Sequence, residues 1–102
     1  MMNISQKKID VLMEIGAGAI IDSTLSKLIN IQIARYRNNI KEISTELEGF
    51  EKEFSMSSEE CYRRFESGEL GDGGDFFEWI GLHENVLLYK KRIEMLEVAI
   101  EG

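Results

Sequence analysis

The residues most capable of chemistry are acidic side chains that recur at every third position of one short stretch. They are Glu66, Glu69, Asp72, Asp75 and Glu78. Clustered carboxylates can bind Mg²⁺ or Ca²⁺, or act as general acids and bases. An EF-hand loop starting at Asp72 fails because Gly74 and Phe76 occupy its third and fifth positions, and the stretch has no histidine for zinc. We therefore expect helix caps and an acidic surface without metal or cofactor, and keep a metal-dependent enzyme as an alternative.

The single cysteine, Cys61, and the single histidine, His83, are the other candidates for catalysis. A cysteine nucleophile needs a base beside it, and nothing in the local sequence brings these two residues together. The chain also has no phosphate-binding loop, dinucleotide fingerprint or hydrolase elbow. We predict no catalytic residues. One cysteine excludes an internal disulfide and fits a reducing, cytoplasmic location.

The charge of the chain points to a protein partner. Its net charge is −7, and residues 55–75 alone carry −4. No run of basic residues exceeds three, which disfavours direct binding to nucleic acid. No apolar run approaches the roughly 20 residues that span a bilayer. An acidic surface suits a basic protein partner.

Two apolar seams predict the architecture. The spacings alternate between three and four in Ile29, Ile33, Tyr36, Ile40, Ile43, Leu47, Phe50 and Phe54, and again in Trp79, Leu82, Val86, Tyr89, Ile93, Leu96 and Ile100. Such heptad spacing is typical of helices that pack along one face. We predict a single all-α domain in which long helices at 23–54 and 76–100 form an antiparallel, coiled-coil-like hairpin, because only a short connection joins them.

Local signals predict the connection between the long helices. Ser57 and Glu60 have the spacing of a capping box and start a short helix at 58–67 that caps the hairpin tip. Gly68 ends that helix, and residues 68–75 form a turn. Asp75 and Glu78 repeat the cap spacing before the last helix, and Trp79 joins the core of the tip.

The N-terminal part and two interior glycines give weaker signals. Residues 1–21 are expected to hold a short helix that ends near Gly16 or Gly18, with a short strand over the sequence GAGAII as the alternative. Asp22 or Ser23 should cap the first long helix. Gly49 and Gly81 fall at one level of the hairpin, which predicts a space that the short helix or Trp79 fills.

The sequence FEKEFSMSSEECYRRFESGELGDGGDFFEW, residues 50–79, resembles a group of small, largely uncharacterised archaeal and bacterial helical proteins. The shared pattern matches Phe50, Glu51, Met56, Ser57, Glu60, Phe65, Gly68, Glu69, Leu70, Asp72, Asp75, Glu78 and Trp79. Such proteins are similar to the antitoxin components of toxin–antitoxin pairs. The resemblance implies a small basic toxin as partner. Gly73 and Gly74 stand where the pattern commonly has a polar residue, which implies a more flexible turn here.

These observations predict a non-enzymatic, antitoxin-like protein that neutralises a basic partner through the acidic hairpin tip. The charged contacts are assigned to Glu66, Glu69 and Asp72, and the apolar anchors to Leu70 and Phe77. The alternative is a self-associating helical scaffold. Its homodimer would form through apolar residues left over from the seams: Leu25, Leu28, Ile31, Leu87 and Leu88.

Overall fold

The computed structural model describes residues 4–71 and 73–101. Within these ranges the chain forms four helices and no strand: α1 (Ile4–Glu14), α2 (Gly18–Phe54), α3 (Ser58–Glu66) and α4 (Gly74–Glu101). The all-α hairpin is confirmed, because α2 and α4 pack side by side in opposite directions. The short α3 lies against both, and α1 lies against α2. The strand considered for residues 16–21 is wrong, since α2 already begins at Gly18.

The two apolar seams form the interface between α2 and α4. Tyr36 stacks on Tyr89 with ring centroids 5.2 Å apart, and Phe50 stacks on Trp79 at 5.5 Å. Every seam residue is more than half-buried, and the most exposed of them is Ile100, at 39%. Alternating spacings of three and four keep one helix face in contact along its length, so the sequence pattern identifies the buried face of each helix.

The start of α2 differs from the prediction. The helix begins at Gly18, five residues before the expected start, and its N-cap is Ala17 instead of Asp22 or Ser23. Gly16, with a φ of +87°, reverses the chain directly after α1. There the amide of Ala17 donates to the carbonyl of Leu12 at 2.9 Å, which closes the end of α1. Only residues 15–17 therefore separate the two helices.

A Schellman turn ends α3 at Glu66, one residue before the predicted end. The amide of Gly68 donates to the carbonyl of Phe65 at 3.1 Å, and the amide of Glu69 donates to that of Arg64 at 3.0 Å. These are the two bonds that define the motif. Gly68 has a φ of +82°, a backbone conformation that costs an L side chain about 1–2 kcal/mol.

Replacing Gly68 with alanine should lower the free energy of unfolding by about 1–2 kcal/mol, because alanine strains the left-handed turn. The measurement is urea unfolding followed by circular dichroism. Gly74→Ala is the matched control, since Gly74 lies in the first turn of α4 and an added Cβ there meets nothing within 4 Å. Equal losses from both variants would contradict this role for Gly68.

The beginning of α4 also corrects the predicted cap. The amides of Phe76 and Phe77 donate to the carbonyl of Gly73 at 3.1 and 3.3 Å. The helix therefore begins at Gly74, two residues early, and Asp75 lies inside its first turn instead of at the N-cap. A carboxylate in that turn still interacts favourably with the helix dipole.

None of the residues that the structure describes fills the space predicted between Gly49 and Gly81. Both glycines are exposed, and a Cβ added to either meets no atom within 4 Å. The prediction that α3 or Trp79 fills the gap is wrong, because α3 covers a different side of α4, where Ile80 and His83 are buried. A large side chain at position 81 would therefore fit within the monomer.

The molecule is elongated. It measures 60 × 28 × 20 Å with a radius of gyration of 19.9 Å, whereas a compact chain of this length has about 13 Å. A two-helix hairpin of this shape leaves many apolar side chains in solvent, especially in α1, the first half of α2 and the second half of α4. None of the helices in the described ranges has both the length and the apolar run that a membrane span requires.

Candidate partner-binding site

The N-terminus of α3 is fixed to both long helices by hydrogen bonds at Ser58. Its hydroxyl accepts a buried 2.8 Å bond from Nε1 of Trp79 on α4. Its amide donates to Oε2 of Glu51 on α2, also at 2.8 Å. Ser57 is the N-cap, as predicted, and its Oγ accepts from the amide of Glu60 at 3.1 Å. These bonds hold α3 in one orientation across the tip.

Aromatic rings surround Trp79 and make the tip rigid. Trp79 is fully buried, and the ring centroids of Phe50, Phe54 and Phe76 lie 5.5, 5.7 and 6.5 Å from that of Trp79. Rings at these separations add to the stability that comes from burial. The surface residues of the tip therefore project from an ordered base.

Cys61 belongs to this core. It is fully buried beside Trp79 in the same apolar cluster, and burial raises the pKa of its thiol. A buried, protonated thiol is a poor nucleophile, so its position fits a packing role.

The buried thiol should react with Ellman's reagent only when the tip opens. Raising the pH should also reduce stability, because the unfolded thiol ionises near about pH 8.5 while the folded thiol stays protonated to higher pH. Cys61→Ala should weaken that pH dependence in chemical unfolding curves. Rapid labelling of the native protein would contradict the burial of this residue.

The residues predicted to bind a partner do not have equal access to solvent. Glu66 and Glu69 are exposed, with Glu69 Oε2 lying 3.9 Å from Nε of Arg64. Phe77 is 54% exposed, and its ring contacts that of Phe65 at 5.2 Å. Leu70 packs against the core and is half-buried, so it offers little surface as an anchor. Asp72 lies outside the described residues.

The acids assigned to caps have other contacts. Glu60 does not complete a capping box, because its Oε1 lies 3.0 Å from Arg64 and 3.7 Å from Arg63. The exposed side chain of Glu78 borders a groove with Glu46 and Glu53. Of the predicted capping box, only the bond accepted by the Ser57 hydroxyl forms. The carboxylates of Glu60 and Glu78 contribute to the surface charge instead.

Tyr62 lies near acidic side chains of both α3 and α4. The Glu66 carboxylate, partial burial and Glu84 raise the pKa of its phenol. Its ring lies 5.6 Å from that of His83, which is buried beneath α3. The sequence pattern did not single out Glu84, because residues on α3 and α4 meet there only after folding.

A polar groove runs along the edge between α2, α3 and α4. Its volume is about 330 Å³, and its lining includes His83, Lys90 and three acids, Glu48, Glu51 and Glu59. The sequence pattern did not assign these three acids to partner binding, because they lie outside the 66–78 stretch. They extend the negative surface from the turn onto α2.

The charge of the whole molecule is divided along its length. We define the tip half as residues 44–85, which contain the end of α2, all of α3 and the start of α4. The tip half has twelve acidic and three basic residues, a net charge of −9, whereas the rest of the chain has nine basic and seven acidic residues, a net of +2. The acidic site is therefore an entire end of the molecule.

No metal-binding group of three or more His, Cys, Asp or Glu residues occurs in the part of the chain that the structure describes. Comparisons with protein-family models, with curated proteins and with solved structures found no match to this chain.

Proposed function

We propose that this chain is a non-enzymatic protein-binding module that holds a basic protein against its acidic tip, as an antitoxin holds its toxin. The observation that supports the proposal most strongly is the net charge of −9 in the tip half, opposite a remainder with +2. Charge of one sign concentrated on one surface steers and selects partners of opposite charge.

The exposed groups on α3 and its following turn are the proposed contacts. Glu59, Glu66 and Glu69 are exposed there, and Phe77 supplies an exposed aromatic ring that contacts Phe65 of α3. Aromatic residues surrounded by polar groups commonly contribute most of the binding energy of an interface. The hydrogen bonds of Ser58 hold this surface in place, so little conformational entropy is lost on binding.

The proposal is tested by affinity capture with three baits. The wild-type chain is compared with a tip variant, E59K/E66K/E69K, and with a control variant, E14K/D22K/E94K. Each variant changes the net charge equally, and the control residues are exposed side chains outside the tip half. We expect the wild-type chain and the control to retain one or more basic proteins from extracts of the native host, and the tip variant to lose them.

Equal capture by all three baits, or the absence of basic proteins among those captured, would overturn the proposal. Circular dichroism of each bait verifies that the helices persist. A partner that only the wild-type chain and the control capture can then be expressed in cells with and without this chain. Neutralisation predicts that the partner inhibits the growth of the cells only when the chain is absent.

A further inference from the structure

The hairpin has two broad sides, and only one of them is covered by α3. Successive residues of a helix are rotated by about 100°. In this antiparallel pair, residues one position after a seam residue therefore point to one side, and residues one position before it point to the other. Ile80 and His83 follow the seam residues Trp79 and Leu82, and both are buried under α3. We call the opposite side, which α3 does not cover, the open face.

Two grooves locate the open face and show that its halves differ. One groove, of about 340 Å³, lies in the tip half and is lined by Glu46, Gly49, Glu53 and Glu78 around the ring of Phe50. The other, of about 230 Å³, is lined by Gln32, Arg92 and Met95 beside Tyr36 and Leu96. The open face is thus acidic near the tip, and basic farther away, where Met95 is 64% exposed.

Three positions along α4 make this face self-complementary. Gly81, Leu88 and Met95 are spaced by seven residues and share one heptad position. Gly81 has open space above it, whereas Met95 is 64% exposed. A two-fold axis through Leu88 would pair each Met95 with Gly81 of a second copy, and Leu88 with its equivalent.

We propose that the open face binds a second copy of this chain in an antiparallel arrangement about Leu88. The long side chain of Met95 fills the space above Gly81 of the second copy. The same arrangement brings the half of the face that carries Arg35 and Arg92 toward the half that carries Glu46, Glu53 and Glu78. The inference goes beyond binding at the tip, because α3 lies on the opposite side of the hairpin.

Charge and size both favour a second copy in this orientation. A parallel pair would bring two tip halves of −9 together, whereas the antiparallel pair places them at opposite ends. Like charges held side by side are destabilising. The molecule is 60 Å long and at least 20 Å across, so a face along its length provides more than the ~800 Å² per partner that a typical stable interface buries.

Two adjacent leucines give a matched test. Leu88 and Leu87 are 42% and 48% exposed, but Leu88 lies on the open face and Leu87 lines the groove beside α3. In sedimentation equilibrium the wild-type chain should have twice its monomer mass of 11.7 kDa. L88D should be monomeric, because it places two carboxylates at the axis, and L87D should remain dimeric. A monomeric wild-type chain, or a dimer that only L87D disrupts, would overturn the proposal.

Gly81 and Met95 test the orientation. G81M should dissociate the dimer because two methionines then meet, and the swap variant G81M/M95A should restore it because one large and one small side chain again face each other. Circular dichroism verifies folding, which the open space at Gly81 should permit. A G81M chain that still dimerises, or a swap variant that stays monomeric while folded, would contradict the antiparallel pairing.

Discussion

Replacing Trp79 with alanine should lower the free energy of unfolding by about 3–5 kcal/mol, the range for removing a large aromatic from a core. Trp79 is fully buried, and its ring packs among Phe50, Phe54 and Phe76. Its removal would also leave the Ser58 hydroxyl without its buried donor. Because small domains have only about 5–15 kcal/mol of stability, this one substitution should unfold a large share of the molecules on mild heating.

Phe77→Ala is the control for this substitution. Phe77 is an aromatic of the same helix, two positions before Trp79, but it is 54% exposed. Urea unfolding of both variants at one chain concentration should give a much smaller loss for Phe77→Ala. Similar losses would mean that Trp79 is not the centre of the tip core.

Ser58→Ala should lower the free energy of unfolding by about 1–3 kcal/mol, because it leaves the indole N–H of Trp79 without an acceptor.

The packing of α2 against α4 could be predicted from sequence because it depends on the periodic spacing of their apolar residues. Heptad spacing determines which face of α2 and α4 is buried, and the short connection between them determines their antiparallel direction. The start of α2 could not be predicted in this way. Asp22 and Ser23 are good capping residues in isolation, but the turn at Gly16 ends α1 so tightly that the next helix starts before reaching them.

The surface of the tip could be predicted only in part. The acids of residues 66–78 are visible as a pattern, whereas the charge that Glu48, Glu51 and Glu84 add to the same end depends on how the helices pack. Ser58 was missed for a similar reason, since its importance comes from a partner 21 residues away. Gly49 and Gly81 leave open space, but both are exposed, so the space faces solvent and not α3 or Trp79.

The second large expected effect is the loss of partner binding in the tip variant E59K/E66K/E69K. Each exposed charge contact contributes up to about 1 kcal/mol, and reversal replaces attraction with repulsion. We therefore expect a loss of affinity of at least about 100-fold, or about 2.7 kcal/mol.

Association of the wild-type chain with its basic partner should slow as salt is added. The Debye length falls from about 30 Å at 0.01 M to about 8 Å at 0.15 M, so the attraction between the two proteins is screened.

The most direct test of the proposed function is isothermal titration calorimetry of the captured basic partner against three chains. These are the wild-type chain, the tip variant and the control variant E14K/D22K/E94K, which has the same net charge as the tip variant. The proposed binding at the acidic tip predicts a loss of at least about 100-fold for the tip variant and nearly unchanged affinity for the control. Equal affinities of the two variants would contradict binding at the tip.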